Sequence, residues 1–178
     1  MRSRATALFL MIPVLLASCG TKQGEHAHHK QESPYKGEQN RAVKALSDED
    51  IRNYLEGNGM GFGKAAELNG YPGPKHILEN ESQLGLSAEQ KKAVQDSFDR
   101  MKQKAVELGK QIVENEKQLE ALFQSSEITG EALQAQTRKI AELQGELRNA
   151  HLAAHLEMKR VLSPEQVEKY NRLRGYKN

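Results

Sequence analysis

The sequence has little of what a thick globular core or a disulfide-bonded protein requires. It contains one cysteine, no tryptophan and only 5% aromatic residues, whereas 28% of its residues are charged. A single cysteine cannot form a disulfide within the chain, so no such cross-link stabilises the fold. With so few aromatic side chains, we expect a core of Leu, Ile, Val and Ala on amphipathic helices.

The first 18 residues have the layout of a secretory signal peptide. Arg2 and Arg4 precede an apolar stretch, residues 5–17, and small residues come just before Cys19. A basic start, a short apolar run and small residues at a cleavage point are typical of exported proteins. The apolar run is shorter than the roughly 20 residues that a membrane-spanning helix needs. The sequence therefore predicts export and removal of residues 1–18.

The four residues Leu16-Ala17-Ser18-Cys19 resemble the lipobox of bacterial lipoproteins. In that family the chain is cleaved before the cysteine, which carries lipid chains and becomes the N-terminus. Each buried methylene of a lipid chain contributes about 0.8 kcal/mol to membrane binding. The resemblance implies a membrane anchor at Cys19 and a position in the bacterial envelope, facing the periplasm. Gly20 after the cysteine resembles lipoproteins sorted to the outer membrane. An ordinary signal peptide with a chance cysteine is the alternative.

Residues 19–45 are polar and should form the tether behind the anchor. They are rich in Lys, Gln, Glu, His, Gly and Ser, a composition that favours a flexible segment. His26, His28 and His29 within this tether could chelate a transition metal weakly, or simply belong to a polar spacer. Removal of residues 1–18 lowers the formal net charge from +2 to zero, because two arginines and no acid leave. No basic patch indicates nucleic-acid binding.

Residues 46–178 carry the pattern of long helices. Ser87 and Gln90 form a capping box that opens a helix reaching about Phe123. Its apolar positions recur with a period of 3.5, which is typical of helix packing in a coiled coil; they are Val94, Phe98, Met101, Ala105, Leu108, Ile112, Leu119 and Leu122, with Asn115 as the one polar interruption. A turn ending at Thr129 leads to a second long helix through about Arg160.

The fold class is therefore all-α, a long antiparallel helical hairpin with short flanking helices. We expect a short helix from Ser47 to Glu56, a glycine-rich bend over residues 57–63, and one helix from Lys75 to about Leu84 that Pro74 begins. Inward positions of the second long helix share its apolar face: Leu133, Ile140, Leu143, Leu147, Ala154, Met158 and Val161. A last helix begins at Ser163 and ends near residue 175.

The pentapeptide Leu-Ser-x-x-Gln occurs twice, and each copy opens a helix. Its residues are Leu86, Ser87 and Gln90 in the first copy and Leu162, Ser163 and Gln166 in the second. With the exported helical hairpin, this repeat resembles the Spy/CpxP family of periplasmic proteins, which includes the metal-linked ZraP and CnrX. The segment from Met60 to His76 also resembles members described as heavy-metal sensors. The resemblance implies an intertwined or cradle-shaped homodimer and either metal sensing or ATP-independent binding of unfolded envelope proteins.

The candidate metal ligands lie on the second long helix. His151 and His155 are four residues apart, so on a helix they share a face and could share an ion. Met158 follows on the same face. Two imidazoles suit Zn(II), Ni(II) or Cu(II), and a thioether suits copper. Two ligands are too few, so we expect others from His76, a carboxylate, the tail histidines or a second copy. Buried histidines held by ordinary hydrogen bonds are the alternative.

No pattern in the sequence indicates catalysis, since Leu152 stands where a His-Glu-x-x-His zinc protease needs its base. We therefore expect a non-enzymatic, envelope-anchored, metal-responsive protein of the stress-response type. Two alternatives remain. One is an ATP-independent periplasmic chaperone, or a modulator of a membrane stress sensor, that uses apolar side chains such as Phe123 and Leu156 beside charged ones. The other is a structural lipoprotein spacer.

Overall fold

The structure, a computed structural model, describes residues 32–177. Residues 35–177 contain one turn of 3-10 helix, Glu38–Asn40, and then α1 (Asp48–Glu56), α2 (Lys64–Glu67), α3 (Pro74–Glu79), α4 (Glu81–Leu84), α5 (Ala88–Gln124), α6 (Gly130–Val161) and α7 (Pro164–Leu173). The described part of the chain has no strand, so the predicted all-α class is confirmed.

Helices α5 and α6 form the predicted antiparallel hairpin. Both begin at the capping residues inferred from the sequence, Ser87 and Thr129, whose side chains accept hydrogen bonds from the first turn. The polar interruption at Asn115 is paired across the hairpin, because Gln136 donates to its backbone oxygen at 2.8 Å and to its side-chain oxygen at 3.1 Å. A paired polar side chain in an apolar seam favours one register of the two helices.

Helix α1 packs across the hairpin at a glycine. Ser47 and Asp50 form its capping box, and Gly57 ends it with a positive φ of 62°, as the sequence predicted. A Cβ atom on Gly109 of α5 would lie 2.0 Å from the backbone oxygen of Tyr54. Only glycine permits this approach of the two backbones, so Gly109 sets the position of α1 and of the loop that follows it.

Two sequence predictions about local structure are wrong. The single helix expected from Lys75 to Leu84 is interrupted at Asn80, whose side chain donates to the oxygen of His76 at 2.8 Å and ends α3. The packed region also starts before residue 46, since Val43 is only 1% exposed. One apolar side chain in a polar segment was too weak a signal to mark that boundary.

The buried side chains form two clusters along the hairpin. One cluster lies under α1 and contains Val43, Leu46, Tyr54, Ala105, Leu108, Ile112, Val113, Leu143 and Leu147. The other joins α3, α4 and α7 to the base of the hairpin and contains Ile77, Leu84, Val94, Met158, Leu162, Val167 and Tyr170. Between Leu147 and Met158 on α6, and between Val94 and Ala105 on α5, the helices belong to neither cluster. The histidines of α6 lie in this interval.

The two pentapeptides meet at the base of the hairpin. Gln90 donates to the side-chain oxygen of Gln166 at 2.8 Å, and Gln166 donates back to Gln90 at 3.0 Å. Each glutamine also accepts a hydrogen bond from the backbone of its capping serine, and each capping serine accepts one in return. The repeated motif therefore caps two helices and joins their first turns.

No helix within residues 32–177 combines the length and apolar character that crossing a membrane would require.

Candidate functional site: a histidine-lined pocket

A pocket of about 340 Å³ opens between α5 and α6, in the interval between the two core clusters. We call it the histidine pocket. It is lined by Gly57, Asn58, Gly59, Gly73, Pro74, Lys75, His76, Phe98, Met101, Lys102, His151 and His155. Three of the four metal ligands that the sequence suggested, His76, His151 and His155, therefore line one pocket, although they come from two distant segments of the chain.

His151 is the most buried of the three histidines, at 5% exposure. Its ring stacks on Phe62, with 5.7 Å between the ring centres and 25° between the ring planes. Burial, together with the charges of His155 and Lys102, lowers the pKa of His151 to about 4. The imidazole is therefore neutral at pH 7. Among the described residues its Nε2 has no hydrogen-bond partner.

His155 is held through its other ring nitrogen. Its Nδ1 donates to the backbone oxygen of Tyr71 at 2.7 Å, so that in the neutral form of the imidazole the lone pair is on Nε2. Metal-binding histidines are commonly oriented by such a bond to a carbonyl. The backbone at Gly63 and Gly73 lies close to the ring. A Cβ atom on Gly63 would be 2.3 Å from Nε2, and one on Gly73 would be 2.8 Å from Cε1. Glycines at both positions leave room for the imidazole.

Glu67 is a buried carboxylate behind His155 that no sequence pattern pointed to. Its Oε1 accepts from the hydroxyl of Tyr170 at 2.5 Å and from that of Tyr176 at 3.2 Å, and its Oε2 accepts from the backbone nitrogen of Gly73 at 3.1 Å. Burial and the bond to Glu67 raise the pKa of Tyr170. Nothing distinguishes this one acid among 24 in the sequence; only the buried partners from distant segments do so.

His76 and the two methionines differ in where the structure places them. The Nδ1 of His76 lies 2.7 Å from Glu79 Oε2, an interaction that lowers the pKa of Glu79. Met158 is 0% exposed in the cluster at the base of the hairpin and does not line the pocket. Met101 of α5 does line it. The predicted role of Met158 as a ligand stays a prediction, and the structure adds Met101 as a candidate thioether.

The donor set of the histidine pocket fits a borderline or soft metal ion better than a hard one. Its described lining has imidazoles and a thioether but no carboxylate, and Lys102 adds a positive charge. Such donors suit Zn(II), Ni(II) or copper, whereas Mg(II) and Ca(II) require oxygen ligands. Within residues 32–177, however, no three His, Cys, Asp or Glu side chains are grouped closely enough to hold an ion by themselves.

The comparison with known families concerns the same residues. Residues 64–169, more than half of the 178-residue chain, match the family model described as heavy-metal resistance. The chain belongs to the heavy-metal resistance family. The matched range contains the three pocket histidines, Glu67 and both pentapeptides. No curated protein and no solved structure matches the chain.

Membership in the heavy-metal resistance family supports the family-level part of the resemblance to Spy/CpxP proteins, and with it a role in metal resistance in general. It names no metal. The predicted signal peptide, the lipidated Cys19 and the histidines at 26, 28 and 29 lie outside the described residues. Those predictions, like the predicted homodimer, stay predictions.

Proposed function

We propose that the chain binds a divalent transition-metal ion in the histidine pocket and acts as a metal-responsive, non-enzymatic protein of the cell envelope. The protein ligands are the imidazoles of His151 and His155, with Met101 or His76 and solvent completing the coordination. Membership in the heavy-metal resistance family supports this role.

One observation carries the proposal: a neutral, buried imidazole whose Nε2 has no hydrogen-bond partner among the described residues. A buried polar nitrogen without a partner costs about 1–3 kcal/mol. Coordination of a cation would remove that cost. The group is also ready for coordination at pH 7, because no proton has to leave His151 first.

Each element around the pocket has a defined task in this proposal. The carbonyl of Tyr71 fixes the tautomer of His155, so that Nε2 carries the lone pair. Phe62 stacks on His151 and limits rotation of its ring. The glycines at 63 and 73 let the backbone approach His155. A bound ion would add a positive charge next to His155, and the expected response is a change in how α2 and α3 pack around that residue.

Calorimetric titration of the full chain with Zn(II), Ni(II) and Cu(II) tests the proposal. We expect micromolar or tighter binding to one site, and loss of that binding in His151→Ala/His155→Ala. The double variant removes the buried side chain of His151. The single variant His155→Gln is milder, because His151 stays in place and a glutamine amide can still donate to Tyr71. Circular dichroism establishes that each variant remains helical.

A matched control separates the pocket from the tail. His26→Ala/His28→Ala/His29→Ala removes three histidines outside the pocket and should keep the high-affinity site. If this variant loses binding while the pocket variants keep it, the tail is the metal site and the proposal is wrong. Absence of binding by the unchanged chain would also overturn it.

Export and anchoring through Cys19 are part of the same proposal and have their own test. The pattern of residues 1–19 supports them. Cells grown with labelled palmitate should incorporate label into the chain, and membrane fractions should contain it. Cys19→Ser should abolish both results. Label in the Cys19→Ser chain would refute lipidation at this residue.

A second candidate function, ATP-independent chaperone activity, is favoured by exposed apolar side chains on the hairpin. Phe123 is 55% exposed, Leu156 49% and Leu133 37%. Adaptable apolar surface beside charged residues can bind unfolded chains. The full chain should then suppress aggregation of a reduced, unfolded client protein at stoichiometric amounts, and Phe123→Ser/Leu133→Ser should weaken the effect. No suppression would exclude this candidate.

A further inference from the structure

The buried carboxylate of Glu67 contacts three parts of the molecule, two of them distant from it in sequence. Oε2 accepts from the backbone nitrogen of Gly73 and lies 3.7 Å from Nδ1 of His155. Oε1 accepts from Tyr170 and Tyr176, near the C-terminal end of the chain. Glu67 itself is 9% exposed and belongs to the short helix α2. One side chain thus joins the turn before α3, the histidine of α6 and the C-terminal segment.

The contact with the turn bears directly on His155. The backbone oxygen that accepts from His155 belongs to Tyr71, two residues before the Gly73 nitrogen that Glu67 holds. The same turn contacts the imidazole, because a Cβ atom on Gly73 would lie 2.8 Å from Cε1 of His155. By fixing this turn, Glu67 fixes the acceptor that orients the imidazole. Removing a partner that orients a metal ligand in this way typically changes metal affinity about tenfold to hundredfold.

The contact with the C-terminal segment adds two hydroxyl donors and a cation. Tyr170 is fully buried, Arg174 lies over the ring of Tyr176 with 5.8 Å between the guanidinium carbon and the ring centre, and Nε of Arg174 is 3.4 Å from Oε1 of Glu67. Residues 174–176 lie beyond the end of α7, where their backbone nitrogens donate to the backbone oxygens of residues 170–172. The contacts with Glu67 add a side-chain attachment to the rest of the molecule. Loss of the carboxylate would remove this side-chain attachment and leave only the backbone hydrogen bonds to α7.

We propose that Glu67 is a positioning residue that couples cation binding at His155 to docking of the C-terminal segment, residues 170–176. The proposal rests on the metal-binding function above and names its regulation. An imidazole that gives its Nε2 lone pair to a cation becomes a stronger donor at Nδ1, and its positive ring attracts the carboxylate 3.7 Å away. A docked segment holds that carboxylate in place. Cation binding and docking therefore stabilise each other, and the coupling is reciprocal by thermodynamic necessity.

The coupling is tested on the full chain by hydrogen exchange and Zn(II) affinity together. Saturating Zn(II) should slow amide exchange of residues 170–176 at least severalfold. Glu67→Gln should lower Zn(II) affinity by about tenfold to hundredfold and abolish the Zn(II)-dependent slowing. Glu168→Gln is the matched control, because Glu168 of α7 pairs only with the exposed Arg172 at 2.9 Å in the described structure. It should change neither readout.

The reciprocal arm uses the segment itself. Tyr176→Phe and Arg174→Gln leave Glu67 and both histidines intact, yet should weaken Zn(II) binding severalfold. In the metal-free chain, nitrogen chemical shifts of His155 should report a hydrogen on Nδ1, and Glu67→Gln should add a population with the hydrogen on Nε2. A merely structural role for Glu67 would not alter this tautomer balance.

The outcomes distinguish this inference from the function on which it rests. If the unchanged chain binds no Zn(II), Ni(II) or Cu(II), the proposed function fails, whatever the tautomer data show. If the chain binds Zn(II) at the pocket histidines but Glu67→Gln and Tyr176→Phe bind it equally well, the coupling is wrong and the proposed function stands.

Discussion

The hairpin has a covered part, where the short helices pack on it, and a bare part, residues 114–139, where no side chain is fully buried. Both parts have the same apolar periodicity. Along α5, Val94, Ala105, Leu108 and Ile112 are buried under the short helices. The same spacing continues to Leu119 and Leu122, in the bare part. Periodicity therefore reports which face of a helix is apolar, whereas burial depends on whether another element packs there.

The largest difference between the two parts should come from truncating one leucine in each. Leu147 is 1% exposed and Leu133 is 37% exposed. Leu147→Ala should lower the free energy of unfolding by about 3 kcal/mol, because it leaves a cavity under α1. Leu133→Ala should change it by less than about 1 kcal/mol. Urea denaturation of the full chain measures both, and equal losses would mean that the bare part is covered in solution.

The close approach of α1 to the hairpin gives the second test. Gly109→Ala places a methyl group against the Tyr54 carbonyl and should cost about 2–3 kcal/mol of stability. Gly145→Ala is the matched change in α6, where an added Cβ meets nothing within 4 Å. It should stabilise the chain by about 0.5–1 kcal/mol, since alanine is the better helix former. Thermal unfolding would reveal the opposite signs, and a neutral Gly109→Ala would contradict the described packing.

Acid should lower the free energy of unfolding through His151, which lies in the covered part of the hairpin. The folded pKa is about 4 and the unfolded value is 6.5, so the unfolded chain binds more protons between these pH values. Stability from the neutral imidazole is complete above pH 6.5, falls as the pH decreases towards 4, and then levels off. The loss should reach about 2 kcal/mol at about pH 5. Denaturation at neutral pH and at about pH 5 should show this loss in the unchanged chain, and His151→Gln should show a correspondingly smaller dependence.

The smallest expected effect concerns the paired glutamines at the base. A double-mutant cycle with Gln90→Ala and Gln166→Ala should give a coupling energy of about 1 kcal/mol, because the two amides exchange hydrogen bonds. Exposed Gln118, which interacts only with Glu114 on its own helix in the described structure, provides the comparison. A cycle of Gln118→Ala with Gln166→Ala should give no coupling. Coupling near zero for Gln90 would mean that the two amides act independently, each through its own cap and its bond to a backbone oxygen, that of Val161 for Gln90 and that of Gly85 for Gln166.

Much of the fold could be predicted from the sequence, because helix ends depend on local chemistry. Capping residues at 47, 87, 129 and 163 lie where the structure places them. The prediction failed where a single residue decides between local and tertiary structure, as at Asn80, which ends α3, and at Val43, which enters the core alone.

The candidate site was only partly predictable, for a physical reason. His151 and His155 share a helix face, so sequence spacing alone places them together. Nothing in the spacing brings Met101 or Glu67 to them, because those contacts depend on how α2 and α5 pack against α6. Met158 was predicted as a ligand because it follows His155 by three residues on the same helix face. The structure places it in the core cluster at the base of the hairpin, where it is 0% exposed.

The glutamine pair at the base of the hairpin has a consequence for the conditions in which the fold can persist. Amide groups do not titrate in water, and hydrogen bonds between uncharged partners are hardly screened by dissolved ions. Surface pairs such as Lys92–Asp96 weaken in brine or acid, whereas the joined first turns of α5 and α7 should keep their strength. This one link between the two first turns would thus tolerate wide swings of salinity and acidity.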